Sequence, residues 1–322
     1  MDRFENIPEK ALAWHRAGTG AVLATVIQTW GSAPRRVGAQ LGISGVGDLV
    51  GSVSGGCVEG AVAVEALEAL SEQKSRVIEF GVSDGDAFAV GLACGGTIRI
   101  LLEPIGEVLS ADLLADLVAA RYRRESTAYV VHLDTGVRRL DTTEHGAQFR
   151  MDSSGFSADG QSFVAIHNPP LRLVIVGAVH IAQALVVMAR LAGYDPILID
   201  PRVSFASEAR FPGETMVRDW PEDALETVGL DARTALVLLT HDPKLDDPAI
   251  KRALMSQAFY IGALGSKRTH AMRVERLVAD GFKPAQIDRI HGPIGLDIAA
   301  ASPSEIAVSI MAEMTRVLRQ GQ

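Results

Sequence analysis

The chain has 322 residues, of which 48% are hydrophobic and 22% charged, with a formal net charge of −8. This length predicts two domains with ample cores, and the absence of a basic block argues against nucleic acid as the main partner. The longest apolar region, 171–193, is broken by polar residues and a glycine turn, and the first residues lack an apolar leader, which argues against a membrane span and a secretory signal. The sequence contains two cysteines, too few for a disulfide framework, so we expect a cytoplasmic protein with free thiols.

The first elements are short and separated by glycines. Residues 8–18 have the pattern of an amphipathic helix, and Ala21–Thr29 is a β-branched apolar run that predicts a strand. The loop 31–38 carries Arg35 beside Arg36, and guanidinium groups hold phosphate or carboxylate in a bidentate manner. A solvated turn with two exposed arginines is the alternative, and it is favoured when this loop is considered alone. Two further strands around 44–48 predict a hairpin with a glycine-rich turn.

The hairpin leads into Gly51–Glu59 (GSVSGGCVE), which predicts a strand, a glycine turn and a helix with Cys57 in its first turn. Gly55 and Gly56 permit positive φ and would bring backbone amides close to a ligand. A thiol beside unpaired helix amides is favoured as a nucleophile or soft metal ligand. The alternative is a small buried side chain at a packing point.

The second cysteine also adjoins a glycine pair, in Cys94-Gly95-Gly96. Two thiols beside permissive backbone could converge on one ligand. A strand is predicted at 97–102, a helix at 108–124, and a β-rich extension at 128–166. His167-Asn168-Pro169-Pro170 predicts a linker, since paired prolines end regular structure. We therefore expect an α+β domain over 1–168 and a second domain over 169–322.

The second domain begins with a βαβ pattern. Leu171–Val176 reads as a strand buried on both faces of a parallel sheet, followed by a turn at Gly177 and a helix from Ala182. A second strand ends at Asp200, 23 residues after Gly177, close to the dinucleotide-binding fingerprint. Val179 replaces the middle glycine of that fingerprint and argues against NAD(P) at this turn.

This pattern predicts a Rossmann-like doubly wound parallel sheet. Asp200 could accept a hydrogen bond from a ribose hydroxyl with Arg202 near a phosphate, or it could cap its own loop. The turn 265–268 (GSKR) follows another strand and precedes a helix, which is typical of an anion site. The acidic stretch around His241 and 246–247 could hold a metal but more often forms a polar loop.

Several motifs in chain order resemble the XdhC/CoxI family, accessory proteins of molybdenum hydroxylases such as xanthine dehydrogenase and carbon monoxide dehydrogenase. They are Gly31–Arg35 (GSAPR), Gly51–Glu59, Cys94–Gly96, Asp200–Arg202 (DPR), Tyr260–Gly262 with Gly265-Ser266, and Pro293–Ile298 (PIGLDI). Many members carry a glycine at the position of Val179.

The resemblance implies a chaperone that binds molybdenum cofactor, protects it while a terminal sulfido ligand is installed, and passes it to an apo-hydroxylase. It implies an accessory factor and not a turnover enzyme. The cofactor would be molybdopterin or its dinucleotide form. Partners would be the apo-hydroxylase and a cysteine desulfurase, and a homodimer is expected from base rates.

Under this interpretation the thiols would contact the metal of the cofactor or its sulfur ligands, and the cations and glycine turns would bind the phosphate of the cofactor. The cofactor-binding residues so expected are Arg35, Ser52, Gly55, Gly56, Cys57, Cys94, Gly95, Gly177, Asp200, Arg202, Gly265 and Ser266. Two alternatives stay open: an NAD(P)-dependent oxidoreductase using the second domain, and a protein-interaction scaffold in which both cysteines are structural.

Overall fold

The computed structural model describes residues 6–33, 35–81 and 96–320. Cys94 and Gly95 lie outside these ranges. The chain divides into two compact units, Met1–Pro169 and Pro170–Gln322, and the division falls inside the predicted linker. Among the described residues, no helix is both long enough and apolar enough to cross a membrane.

Unit 1 has an α+β architecture. Its described elements are α1 (Ile7–Arg16), β1 (Ala21–Trp30), β2 (Gln40–Ser44), β3 (Leu49–Gly51), α2 (Glu59–Glu72), β4 (Arg76–Phe80), β5 (Thr97–Pro104), α3 (Ala111–Tyr122), β6 (Thr127–His132), β7 (Arg138–Asp141), α4 (Gly146–Met151), β8 (Gly155–Phe156) and β9 (Ser162–His167).

Two antiparallel sheets organise unit 1. The first has the order β3-β2-β1-β5-β4 and the second the order β7-β6-β9-β8. Alternate residues of β1 and β5 face opposite sides of the first sheet, and each side has its own core. The apolar face of α2 covers one side of the sheet, and α1, α3 and the second sheet cover the other side. The predicted β-rich extension is therefore part of the main core of this unit.

A buried charge cluster ties the two sheets together. The carboxylate of Glu103 in β5 accepts hydrogen bonds at 2.7 Å from the hydroxyl of Tyr129 in β6 and from Nε of Arg138 in β7. Glu103 is fully buried, and burial raises its pKa against the opposing effect of Arg138.

Unit 2 is a doubly wound α/β unit. Its described elements are β10 (Leu171–Val176), α5 (His180–Leu191), β11 (Tyr194–Ile199), β12 (Thr215–Val217), α6 (Pro221–Val228), β13 (Thr234–Leu238), α7 (Pro243–Leu254), β14 (Tyr260–Ala263), α8 (Lys267–Ala279), α9 (Pro284–Ile287), β15 (Ile290–His291) and α10 (Pro303–Gln320).

The six strands of unit 2 form one parallel sheet with the order β12-β11-β10-β13-β14-β15. This is the strand order of the Rossmann fold, with the reversal between β10 and β13. Helices α5 and α10 cover one face, and α6, α7 and α8 cover the other. The predicted Rossmann-like domain is confirmed.

Several element boundaries differ from the sequence predictions. Helix α2 begins at Glu59, two residues after Cys57, so the prediction of Cys57 in the first helical turn is wrong. Asp246 and Asp247 lie in α7 and not in a loop. The structure also has β12 and α6 within 203–233, where the sequence shows no clear period, and the short α4 in the β-rich region.

Candidate functional site

The topology of the first sheet brings several of the sequence motifs to one of its ends. The register pairs Trp30 with Thr97, Leu41 with Gly51, and Phe80 with Ile98, so the chain leaves β1, β3 and β4 at the same end at which it enters β2 and β5. The loops 31–39 and 52–58 and the connection from β4 to β5 are therefore all attached at that end of unit 1.

The glycine loop 52–58 is held by one carboxylate. Oε1 of Glu59 accepts the amides of Val53 at 3.2 Å and Ser54 at 3.0 Å, and Oε2 accepts the amide of Gly56 at 2.9 Å. The hydroxyls of Ser52 and Ser54 also donate to this carboxylate, at 2.6 Å and 2.5 Å.

These two hydroxyls extend the network to the remaining amides of the loop. Ser52 Oγ accepts the amide of Gly55 at 2.8 Å, and Ser54 Oγ accepts those of Cys57 at 3.0 Å and Val58 at 2.9 Å. Six consecutive amides, 53–58, thus end on Glu59 directly or through one serine. The amides of Gly55 and Gly56, which were expected to face a ligand, donate instead to side chains of the same chain.

The network also determines the charge of Glu59. Burial by itself would raise the pKa of this carboxyl, but hydrogen bonds from Ser52 and Ser54 outweigh burial and lower the pKa to about 2. The carboxylate is therefore ionised at neutral pH and supplies the negative charge that a loop of inward-pointing amides favours.

The thiol of Cys57 is exposed on this loop, and Cys57 is the free cysteine found among the described residues. The adjacent Gly56 has φ +109°, and a Cβ placed there would meet no atom within 4 Å. Below the loop, Val53 and Val58 are fully buried in the core beneath α2. Val53 and Val58 thus hold the two ends of the loop in the core, while Gly55, Gly56 and Cys57 between them are exposed.

Arg35 lies in the neighbouring loop between β1 and β2. Gly96, the first described residue after the segment 82–95, lies close to this loop: a Cβ on Gly96 would lie 2.3 Å from the carbonyl oxygen of Ser32. The described residue that follows Cys94 and Gly95 therefore packs against the loop of Arg35, at the same end of the sheet as Cys57.

In unit 2 the predicted residues lie at the carboxyl edge of the parallel sheet, where ligands bind in open α/β folds. Gly177 follows β10 with φ +105°, and a Cβ there would lie 2.6 Å from Cγ2 of Thr240, which follows β13. Val179 is the N-cap residue of α5 and packs against the core. The turn at the strand-order reversal is thus closely packed.

Asp200, at the end of β11, uses both carboxylate oxygens within its own turns. Oδ2 accepts the amide of Ala178 at 2.9 Å and Nη2 of Arg202 at 2.8 Å, while Oδ1 accepts Nε of Arg202 at 2.8 Å. Burial would raise the pKa of Asp200, but Arg202 and the amides lower it overall. The guanidinium of Arg202 lies 4.0 Å from the ring centre of Phe205 and stays partly exposed. Of the two interpretations of Asp200, this geometry favours the capping role.

Gly265 and Ser266 follow β14, two strands from β10, or about 10 Å across the sheet. Ser266 is the N-cap of α8, where its Oγ accepts the amide of Thr269 at 3.1 Å. The predicted helix start at 269 is therefore two residues late. The hydroxyl expected to face an anion caps the helix.

A buried acid that the sequence analysis did not single out holds another motif loop. Glu313 of α10 accepts the hydroxyl of Tyr260 at 2.6 Å and the amide of Gly295 at 2.8 Å, and Nδ1 of His291 lies 3.3 Å from its other oxygen. Burial would raise the pKa of Glu313, but His291 and Tyr260 lower it to about 2. The sequence signal was present, because Glu313 falls on the apolar stripe of α10.

The acidic stretch after β13 is used internally. Asp242 caps α7 by accepting the amide of Lys244 at 3.0 Å, Asp246 bonds Thr240, and Asp247 pairs with Arg276. The structure thus favours a structural role for these acidic residues and does not favour a metal site.

Asp141, Glu144 and His145 form the group of possible metal ligands found in the described part of the chain. Nη1 of Arg139 lies 2.6 Å from Asp141 and compensates the charge of that group.

Comparisons with known proteins agree along the chain. A model of the XdhC and CoxI family matches residues 14–81, and a model of the XdhC Rossmann domain matches residues 173–314. The chain is 31% identical over 307 residues to the molybdenum cofactor insertion chaperone PaoD of Escherichia coli K12, covering 94% of this chain and 84% of that protein.

Two further relatives extend over nearly the full length. A protein of Bacillus subtilis 168, named as a probable xanthine dehydrogenase component, is 28% identical over 324 residues, covering 93% of this chain and 94% of that one. A crystal structure described as a xanthine dehydrogenase from Bacillus halodurans superposes with a TM-score of 0.63 at 26% identity, covering 98% of this chain and 96% of that one.

Proposed function

The chain belongs to the XdhC and CoxI family, and we propose that it is a molybdenum cofactor-binding chaperone that protects the cofactor and delivers it to an apo-molybdenum hydroxylase. The observation that carries the proposal is the gathering of the Arg35 loop, the Cys57 loop and the ends of the Cys94 connection at one end of the first sheet. A chaperone has to expose its cargo site for transfer, and the exposed thiol on a rigid loop meets this requirement.

The donor chemistry at the loop fits the cargo. Molybdenum cofactor carries soft sulfur ligands around its metal, and a thiolate is a soft ligand that suits such a centre. We assign Cys57 to the metal or its sulfur, with Cys94 as the second thiol. The open space above Gly56 accommodates a ligand, while Ser52 and Gly55 shape the loop and Gly95 accompanies Cys94.

The phosphate end of the cofactor requires cations. We propose Arg35 for this role in unit 1, and in unit 2 Arg202 and the turn of Gly265 and Ser266. Gly177 and Asp200 would act by holding their turn, since Asp200 already binds Ala178 and Arg202.

The partners follow from the role. The client is an apo-hydroxylase of the xanthine dehydrogenase or carbon monoxide dehydrogenase type, and a cysteine desulfurase would supply sulfur to the bound cofactor. We also propose that the chaperone works as a homodimer in the cytoplasm.

A second candidate, an NAD(P)-dependent oxidoreductase, is favoured by the Rossmann strand order of unit 2. Two features oppose it: Val179 occupies the turn, and the acid that would bind ribose is engaged with its own loop. The chaperone accounts for the motifs of both units and is the stronger proposal.

The test is retention of the cargo. Apo-protein is incubated with molybdenum cofactor and desalted, and retained molybdenum and pterin fluorescence are measured for wild type, Cys57→Ala and Cys94→Ala, with Ser71→Ala on α2 as the matched control. We expect retention by wild type and Ser71→Ala and its loss in both cysteine variants. Saturable binding of NADH without cofactor retention would instead favour the oxidoreductase. If the protein shows neither cofactor retention nor NADH binding, the interaction scaffold is favoured.

A further inference from the structure

The contacts of Glu59 give this residue a specific part in the Cys57 site. Its carboxylate receives three amides and two hydroxyls, and those hydroxyls in turn receive the other three amides of 53–58. The thiol therefore lies on a segment in which three backbone N–H groups donate to Glu59 and the other three donate to serine hydroxyls that Glu59 holds.

The segment that this acid stabilises needs a negative charge. Gly55 and Gly56 adopt positive φ, at +75° and +109°, without steric cost, but the converging amides of the segment repel one another unless an acceptor lies at their centre. Gly55, Gly56 and Cys57 are all exposed, so packing of their own side chains does not hold them. The apolar anchors Val53 and Val58 fix the two ends of the segment, and Glu59 fixes the part between them.

We propose that Glu59 is the positioning residue of the Cys57 site: its carboxylate fixes the loop that presents the thiol, and the thiol is competent to take the cofactor only while that carboxylate is in place. Glu59 itself points into the loop and leaves the outer surface to the ligand. The inference rests on the proposed function for the identity of the ligand. Its effect on the thiol is independent of that identity.

The experiment uses the full chain and two readouts. The first is the rate at which iodoacetamide alkylates Cys57, followed by mass spectrometry of the peptide that contains it, so that Cys94 does not interfere. The second is retention of molybdenum cofactor after desalting. Glu59→Gln replaces an acceptor oxygen with an amide donor that opposes the loop amides, Glu59→Asp keeps the charge, and Glu65→Gln neutralises another acid of α2 as the matched control.

We expect Glu59→Gln to change the alkylation rate of Cys57 by about threefold or more and to lower cofactor retention by about tenfold, while circular dichroism shows a folded chain. Glu59→Asp should recover part of both effects, and Glu65→Gln should behave as wild type. Wild-type alkylation and wild-type retention in Glu59→Gln would overturn the proposal. A changed alkylation rate in a protein whose wild type retains no cofactor would support the positioning of the thiol and overturn the proposed function.

Hydrogen exchange on the unmodified chain provides a test if Glu59→Gln does not fold. Because all six amides are bonded internally, the peptide covering 53–58 should exchange much more slowly than an unstructured peptide, even though three of its residues are exposed. Exchange of these amides at the unstructured rate would overturn the proposal.

Discussion

Tyr260 donates its hydroxyl to Oε2 of Glu313 at 2.6 Å, and the bond joins β14 to α10 inside unit 2. The same oxygen accepts the amide of Gly295, so one buried acid connects the strand, the helix and the loop 292–298. Three loops that carry family motifs are thus each held by an acid of the same chain: Glu59, Asp200 and Glu313.

This relationship predicts the effect of Tyr260→Phe. The variant leaves Glu313 buried with one donor fewer, and we expect the free energy of unfolding to fall by about 1–2 kcal/mol. Urea denaturation measures the change. Tyr122→Phe, at a tyrosine that is 78% exposed, is the control and should leave stability unchanged. Equal stability of the two variants would contradict the role of the bond.

Gly177 is required by the close approach of Thr240. Gly177→Ala combines a strained positive φ with a Cβ that would lie 2.6 Å from Cγ2 of Thr240, and we expect a loss of about 2–4 kcal/mol in the free energy of unfolding. Adding Thr240→Ser removes that methyl group but keeps the hydroxyl that bonds Asp246. The double variant should recover the steric part of the loss, and no recovery would show that the contact is not the cause.

Asp200→Asn separates the two interpretations of this acid. If Asp200 caps its own turns, the loss of the charged pair with Arg202 should lower the free energy of unfolding. The loss should be limited to about 2 kcal/mol, because Arg202 is partly exposed and solvent screens the pair. Asp219→Asn, at an exposed acid, is the control. NADH titration monitored by fluorescence should show no site in wild type, and a wild-type site that is lost in Asp200→Asn would support the dinucleotide interpretation instead.

His167 should make stability fall on mild acidification. Burial, with a further contribution from the charge of Arg121, lowers the pKa of His167 from 6.5 to about 3. Between these values the unfolded chain binds a proton that the folded chain does not, so the free energy of unfolding should decrease by up to about 1.4 kcal/mol per pH unit as the pH falls below 6.5.

The measurement is urea unfolding between pH 7.5 and 5.5, above the value of 4.5 at which carboxyls such as Glu59 and Glu313 titrate in the unfolded chain. His167→Asn should reduce the slope in this window, and a smaller slope of the same sign should remain because burial and the charge of Arg273 also lower the pKa of His270. The exposed His180→Asn should keep the wild-type slope, and a wild-type slope in His167→Asn would assign the effect to other groups.

Arg35 should affect binding more than folding. If its guanidinium meets the cofactor phosphate, Arg35→Ala should weaken cofactor retention by about tenfold, because a charge-assisted hydrogen bond contributes about 1.5–3 kcal/mol. The control is Arg123→Ala, which removes an exposed arginine of the same unit that pairs with Glu125. Unchanged cofactor retention in both Arg35→Ala and Arg36→Ala would contradict the proposed phosphate contact and favour the interpretation of this loop as a solvated turn.

The sequence by itself determined the elements whose period is strong. The continuous apolar run of β10, the glycine turn after it and the alternating patterns of later strands and helices are local features, and they were sufficient to predict a parallel Rossmann-like sheet. The family motifs, likewise local, were sufficient to predict the family. Weakly patterned stretches such as β12 and α6 were missed, because their short length gives no clear period.

The tertiary structure decided which groups the loops use. From the sequence, the amides of Gly55 and Gly56 were expected to face a ligand, and Asp200 could equally have faced a ribose. Hydrogen-bond partners depend on distances between residues that a pattern does not reveal. In the folded chain the amide of Gly56 donates to Glu59, that of Gly55 donates to Ser52, and Asp200 pairs with Arg202. The antiparallel register also decided that the Cys57 loop, the Arg35 loop and Gly96 share one end of a sheet, because register follows from core packing along the whole strand.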